Sequence, residues 1–433
     1  MKQLSLSAKM LTGRLLTRSG DQAWDFAVPL VLLHLLPGEL RVAALYFLLI
    51  RVATVVFLPR LSMLIDRLDR LKSATLGIVL QLCGVVAGFT SIVWLPTGET
   101  PHLQSTGFVV AFIALVISGI VSQLGSSFMD IAIANDLVPS TFNGPELTKF
   151  NSRLRQVDLA TEVGSPVVTG LLLLVSTPEH PLTGFTLVAL WNVLSFFPEY
   201  LILKSIFSER TDLNEKPIVL DSSRTKPILL KIRDGWRSFF QEPIALVMTA
   251  YATLWLSALS PHGVLLTAFL KDGWRLPDWS IGLFRGLGAV FGLIATLLVP
   301  FFAKRISIEK SSLAFLAFQA ISLVIGLGFF FVNNTIGQVG FLVAVLLSRI
   351  GLYGFSLGEM QIRQTEVAPA VRGEVNGFAS ALTALATIGL YSAGVALPET
   401  EDFKSLVVLS VGFVLVALVI YFLWYRRTDK LAQ

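Results

Sequence analysis

The chain has 433 residues, of which 54% are hydrophobic and only 15% charged, with a mean hydropathy of +0.72. A soluble domain carries about 25% charged residues, and a soluble chain of this size would be divided by polar linkers, so the composition excludes a soluble enzyme, a disordered protein and a disulfide scaffold. The net charge of +5 is modest, and with no basic groove interleaved with aromatics it reads as a topology signal, not a nucleic-acid footprint.

A helix needs about 20 apolar residues to cross the hydrocarbon core. Against that ruler the sequence predicts twelve spans, at about 14–37, 41–60, 72–95, 106–131, 149–176, 182–206, 241–270, 279–303, 309–332, 336–362, 372–397 and 403–425. The expected fold class is all-α: a polytopic membrane protein with twelve transmembrane helices in two six-helix halves, 1–206 and 241–433. The longest connection, 207–240, is polar and basic and reads as a cytoplasmic linker. No cleavable signal peptide is expected, since the first apolar stretch is long and leads directly into another span. Of the 34 Lys and Arg residues, 26 fall on the side of the two termini and the even-numbered connections, against four on the other side. That bias places both termini in the cytoplasm and the chain in the inner (plasma) membrane.

Ionisable side chains inside a membrane are costly and mark function by default. Span one carries Thr17, Arg18, Asp21 and Asp25. The second connection runs Ser62-Met63-Leu64-Ile65-Asp66-Arg67-Leu68-Asp69-Arg70, an acidic-basic pair followed by more basic residues. It resembles the cytoplasmic loop motif of the major facilitator superfamily without its usual glycines. Asp66 and Arg67 are expected to form a charge latch at the cytoplasmic face, joined by Asp130 from the inner end of span four; the alternative is a plain solvated loop. Span three has Gln81, span five has Arg153, Arg155, Asp158 and Glu162, and span six has Asn192, Ser195 and Glu199. Cys83 is read as a core residue.

At 1.5 Å rise per residue, Asp21, Gln81, Asp158 and Glu199 lie roughly 4 to 7 Å to the cytoplasmic side of their span centres, with Ser195 and Asn192 near the midplane. Asn192, Ser195, Phe196 and Glu199 follow i, i+3, i+4, i+7 spacing and share one helix face, as do Thr17 and Asp21. Carboxylates with neutral amide and hydroxyl oxygens suit a hard divalent cation. The competing reading pairs these groups with Arg18, Arg153 or each other to hold the bundle together. In span seven, Ser257-Ala258-Leu259-Ser260-Pro261-His262-Gly263 predicts a helix break, because Pro removes a donor and Gly loosens the backbone. A break at membrane depth lines a cavity, and His262 within it is a candidate metal or proton group, weighed against an ordinary hydrogen-bonded histidine. No Walker loop, Rossmann fingerprint or H-E-x-x-H motif is present, and no enzymatic activity or catalytic cofactor is expected.

At these positions the sequence resembles the ferroportin family of iron exporters. The segments are Gly20-Asp21-Gln22-Ala23-Trp24-Asp25-Phe26-Ala27-Val28, Arg155-Gln156-Val157-Asp158, Trp191-Asn192-Val193-Leu194-Ser195 with Glu199-Tyr200, and Arg372-Gly373-Glu374-Val375-Asn376-Gly377. The resemblance covers most of the chain and implies a bacterial member with the major facilitator fold. It implies a first-half iron site of Asp21, Asn192 and Ser195, with Thr17 and Phe196 nearby. It also implies a calcium position at Asp21, Gln81, Asn192 and Glu199, and a transport-linked acid at Asp158. The vertebrate members' second site uses a span-seven cysteine and a span-eleven histidine. This chain lacks both, having Leu390-Tyr391 in the span-eleven region, so His262 is the candidate replacement.

The expected function is secondary export of Fe²⁺ and similar metals such as Co²⁺ by alternating access, with proton countertransport and Ca²⁺ as a regulatory ion. The expected partners are the metal, protons and the lipid bilayer, with no nucleic acid, and the chain is expected to act as a monomer. The alternative is a major facilitator exporter of drugs or organic cations.

Overall fold

The computed structural model describes residues 5–35, 40–95, 105–177, 179–213, 228–260, 264–397 and 402–432. The described residues are almost entirely helical and contain no strand. This follows from the bilayer itself, where every backbone N–H and C=O must be satisfied within its own segment. In chain order the helices are α1 (Leu6–Leu35), α2 (Leu40–Arg67), α3 (Arg70–Val93), α4 (Thr106–Asp130), α5 (Val138–Thr141), α6 (Gly144–Leu173) and α7 (Thr183–Glu209). They continue with α8 (Ile228–Gln241), α9 (Ala245–Leu254), α10 (Val264–Ala268), α11 (Asp278–Ile306), α12 (Ile308–Phe330), α13 (Thr335–Glu366), α14 (Arg372–Ala396) and α15 (Phe403–Ala432).

Among the described residues, nine helices are long and apolar enough to cross a membrane. Three of the expected spans are not among them, for two reasons. Helices α1 and α6 have the length, 30 residues each, but carry the charges singled out above. The seventh span is broken: α9 stops at Leu254 and the chain turns before α10 begins at Val264. His262 lies outside the described residues. The 207–240 connection, read as a loop, includes the amphipathic helix α8 at its end, with Arg233 and Arg237 exposed and Phe239 buried.

The chain forms two compact units, neither of them continuous in sequence. The first comprises Met1–Thr141, Val157–Ser222 and Pro369–Ala381; the second comprises Phe142–Gln156, Ser223–Ala368 and Leu382–Gln433. In the first unit α1 packs along α7 and α3 along α4, over a core in which Trp24 stacks on Phe185 at 5.1 Å. The α3–α4 approach is close enough to need glycine. A Cβ on Gly125 would lie 2.8 Å from the backbone nitrogen of Gln81, so the missing side chain lets α4 press its neighbour Ser126 toward the same place as Gln81. In the second unit α12 packs along α13, and Phe269, Trp274, Phe330, Phe341 and Phe403 form an aromatic cluster. Cys83, expected in the core, is exposed instead. A membrane helix can turn an apolar or weakly polar side chain outward without an exposure cost, because its surroundings are apolar too.

Candidate metal centre

Asp21 sits midway along α1 and is 8% exposed. Its carboxylate accepts a 2.6 Å hydrogen bond to Oδ2 from the hydroxyl of Ser126 on α4. The fully buried Gln81 amide on α3 meets the same carboxylate, one end lying 2.9 Å from Oδ1 and 3.2 Å from Oδ2. With its nitrogen inward, the amide donates to both oxygens. With its oxygen inward, acceptor faces acceptor, an arrangement that a cation between them satisfies.

Helix α7 supplies the second group. The Asn192 amide nitrogen donates to the carbonyl of Gly20 at 3.0 Å, and the Ser195 hydroxyl donates to the Asn192 carbonyl at 2.7 Å. A Cβ on Gly20 would come within 3.0 Å of both Asn192 Oδ1 and Ser195 Oγ, so glycine is what lets α7 approach α1 beside Asp21. Phe196 is buried on the same helix, and Glu199 lies one turn further on. Asn192 Oδ1 and Glu199 Oε2 are buried and have no hydrogen-bond partner among the described residues. Thr17, whose hydroxyl donates to the Gly13 carbonyl at 3.0 Å, lines a cavity of about 20 Å³ together with Glu199. A space of that size holds one water-sized body.

Two orphaned oxygens, a carboxylate and an ambivalent amide are a donor set of the kind that hard or borderline divalent ions accept. Among the described residues, no three His, Cys, Asp or Glu side chains converge, so a cation here would depend on neutral oxygens to complete its shell. Buried unsatisfied acceptors cost free energy in the empty state, about 1–3 kcal/mol each, and a cation relieves that cost on binding.

The alternative pairing of Asp21 with Arg18 is not formed as an ion pair. Arg18 reaches Asp130 Oδ2 at 3.5 Å and Asp158 Oδ1 at 3.7 Å. Arg14 pairs with Asp130 and forks onto Asp158, with Nε to Oδ1 at 2.7 Å and Nη2 to Oδ2 at 3.1 Å. These two arginines and two aspartates form one network joining α1, α4 and α6 on the side of Asp21 toward Lys9. Asp158, the expected transport-linked acid, is therefore held by arginine. Asp130, expected beside Asp66 and Arg67, belongs to this network instead.

Asp66 has a different partner. Its carboxylate accepts from the backbone N–H of Gly373 at 2.7 Å and of Glu374 at 2.8 Å, so it caps the N-terminus of α14. Such a cap satisfies two orphan donors and complements the helix dipole. Arg67 is exposed beside it. Three further charges complete the cluster, and sequence reading did not combine them: Arg70 Nε bonds Asp136 Oδ2 at 2.9 Å, and Arg372 Nη1 lies 4.0 Å from Asp136 Oδ1. Asp136 lies in a π-helical stretch, Ile131–Leu137, that continues α4 past its expected end. The extra residue per turn rotates the side chains that follow, and this repositioning left no signature in hydropathy.

The family described as Ferroportin1 matches residues 5–414. The chain is 44% identical over 425 residues to ferreportin of Bdellovibrio bacteriovorus, an alignment covering 98% of this chain and 96% of that one. A bacterial homologue of the iron transporter ferroportin, solved in an outward-facing state with soaked iron, matches with a TM-score of 0.86 and 43% identity, over 98% of this chain and 100% of that one. The proton:xylose symporter XylE, a major facilitator, matches in fold with a TM-score of 0.66 at 15% identity, covering 96% of this chain and 94% of that one.

Proposed function

The chain belongs to the ferroportin family and has the major facilitator fold, and from that premise we propose that it is a secondary transporter that moves Fe²⁺ across the membrane by alternating access. One observation carries the assignment of the site. Asp21 is buried on α1 between Gln81, Ser126 and the orphaned oxygens of Asn192 and Glu199. Asp21, Asn192 and Ser195 form the proposed iron position, with Thr17 and Phe196 beside it. Asp21, Gln81, Asn192 and Glu199 form an overlapping Ca²⁺ position. Two carboxylates balance a doubly charged ion, and Co²⁺ shares the ligand preferences of Fe²⁺ closely enough to serve as its air-stable probe.

A Ca²⁺ ion in the overlapping position acts on the conformational equilibrium without being cargo, provided that it binds one conformation better than the other. Export against an inside-negative potential costs roughly 4.6 kcal/mol per 100 mV for two charges, so proton countertransport is the proposed source of direction. Asp21 is its leading carrier, because Asp158 is engaged by Arg14. At the cytoplasmic end, the Asp66 cap on α14 and the Arg70–Asp136–Arg372 cluster support a gate that opens for loading.

Calorimetry with Co²⁺ on the purified protein tests the site. Asp21→Ala is expected to weaken binding at least tenfold, and unchanged binding would overturn the assignment. Proteoliposomes with clamped potential test the coupling: metal flux that ignores an imposed pH gradient removes the proton step. Competition by lipophilic cations, with none by Co²⁺, would point to an organic-cation exporter instead.

A further inference from the structure

A cavity of about 720 Å³ lies wholly within the second unit, apart from the candidate metal site. It opens where the first turns of α6 meet the end of α11 and the start of α12. Its size falls in the range of small-molecule sites. Three cations line it: Lys149 and Arg153 from α6, and Lys304 from α11. All are exposed, and none makes an ion pair among the described residues. Among the described residues Glu309, on the first turn of α12, is the single carboxylate in the lining and makes no ion pair, leaving a net charge of +2 from the four groups. This is the wrong sign for a divalent metal.

Gln361 on α13 lines the same cavity and is 7% exposed, so it adds a held polar amide to the cationic lining. An oxygen-rich anion in the cavity can accept from the Gln361 amide nitrogen. Leu297, Pro300 and Ala303 of α11 give the lining an apolar side. A cationic rim over an apolar wall fits an amphiphile better than a fully hydrated anion. All three cations belong to segments that the distribution of Lys and Arg assigns to the cytoplasmic side, where the leaflet is anionic and basic pockets between helices take up lipid headgroups.

We propose that this cavity binds the phosphate group of an anionic phospholipid, with Lys149, Arg153 and Lys304 holding the phosphate, Gln361 donating to one of its oxygens and the apolar side chains receiving the start of an acyl chain. The lipid ties α6 to α11, so occupancy stabilises the arrangement seen here.

Native mass spectrometry and thermal unfolding of the purified full-length protein test it, titrating phosphatidylglycerol, phosphatidylcholine and inorganic phosphate separately. Phosphatidylglycerol is expected to give retained adducts and raise the unfolding temperature by several degrees; phosphatidylcholine and inorganic phosphate are expected to do neither. The triple variant Lys149→Gln, Arg153→Gln, Lys304→Gln should lose the phosphatidylglycerol effect at least tenfold in apparent affinity. The single variant Gln361→Leu covers the case in which the triple variant does not fold, since it removes no charge and nearly keeps the side-chain volume; it should fold and weaken phosphatidylglycerol binding several-fold. Equal responses to the two lipids, or undiminished binding by folded variants, overturn the proposal. A response to inorganic phosphate that matches the lipid response overturns the lipid as its source.

Discussion

At Gly20 the absence of a side chain governs the separation of two helices. A methyl group there would press on Asn192 Oδ1 and Ser195 Oγ at 3.0 Å, closer than ordinary packing allows. Gly20→Ala is therefore expected to push α7 away from Asp21 and weaken Co²⁺ binding about tenfold, with little change in the thermal unfolding temperature; calorimetry and a melting curve measure the two separately. Asp21 was conspicuous in the sequence because a carboxylate inside an apolar stretch is expensive wherever it points. Ser126 was not, since a hydroxyl in a helix can satisfy itself on its own backbone and carries almost no hydropathy signal. Its bond to Asp21 exists only because Gly125 lets α4 approach α3. Ser126→Ala should remove that hydrogen bond and alter Co²⁺ affinity measurably, while leaving the α3–α4 contact intact.

At the scale of the element, the broken seventh span was foreseeable from Pro261 and Gly263, since a missing donor and a loose backbone end a helix wherever they occur. What supports the broken end was not foreseeable. The backbone N–H of Ala258 donates to the Ser410 hydroxyl of α15 at 2.9 Å, and the Leu259 carbonyl accepts from Arg349 of α13 at 3.0 Å. A helix end buried without such partners would be unstable. Ser410→Ala leaves a buried N–H without its acceptor and should cost about 1–3 kcal/mol. That is read as a lowered unfolding temperature, which Ser410→Thr restores. Helices α1 and α6 make the complementary point: they are too polar to qualify as spans by hydropathy, yet one carries Asp21 and the other Asp158. Polar membrane helices are stable where neighbouring helices supply the partners that lipid cannot.

At the scale of the molecule, the bond from Asp66 to Gly373 joins residues 307 positions apart within the first unit. Asp66→Ala removes the acceptor from two amides at the start of α14. Hydrogen exchange at Gly373 and Glu374 should then accelerate at least tenfold, while exchange in α12 and α13, in the second unit, stays unchanged. The basic connections lead to a separate expectation: a fluorescent protein fused after Gln433 should fold and fluoresce in the cytoplasm, and a silent fusion with intact expression would reverse the assigned orientation. The sequence by itself determined the helical membrane class and the family, because the bilayer constrains each helix separately, through length and hydropathy, and because the motif segments are local. Tertiary structure alone decided which charges meet: Arg14 with Asp130 and Asp158, Arg70 and Arg372 with Asp136, and Asp66 with α14. Depth along a helix can be counted from residue number, but the rotation of one helix against another depends on packing, and it is rotation that brings two side chains together.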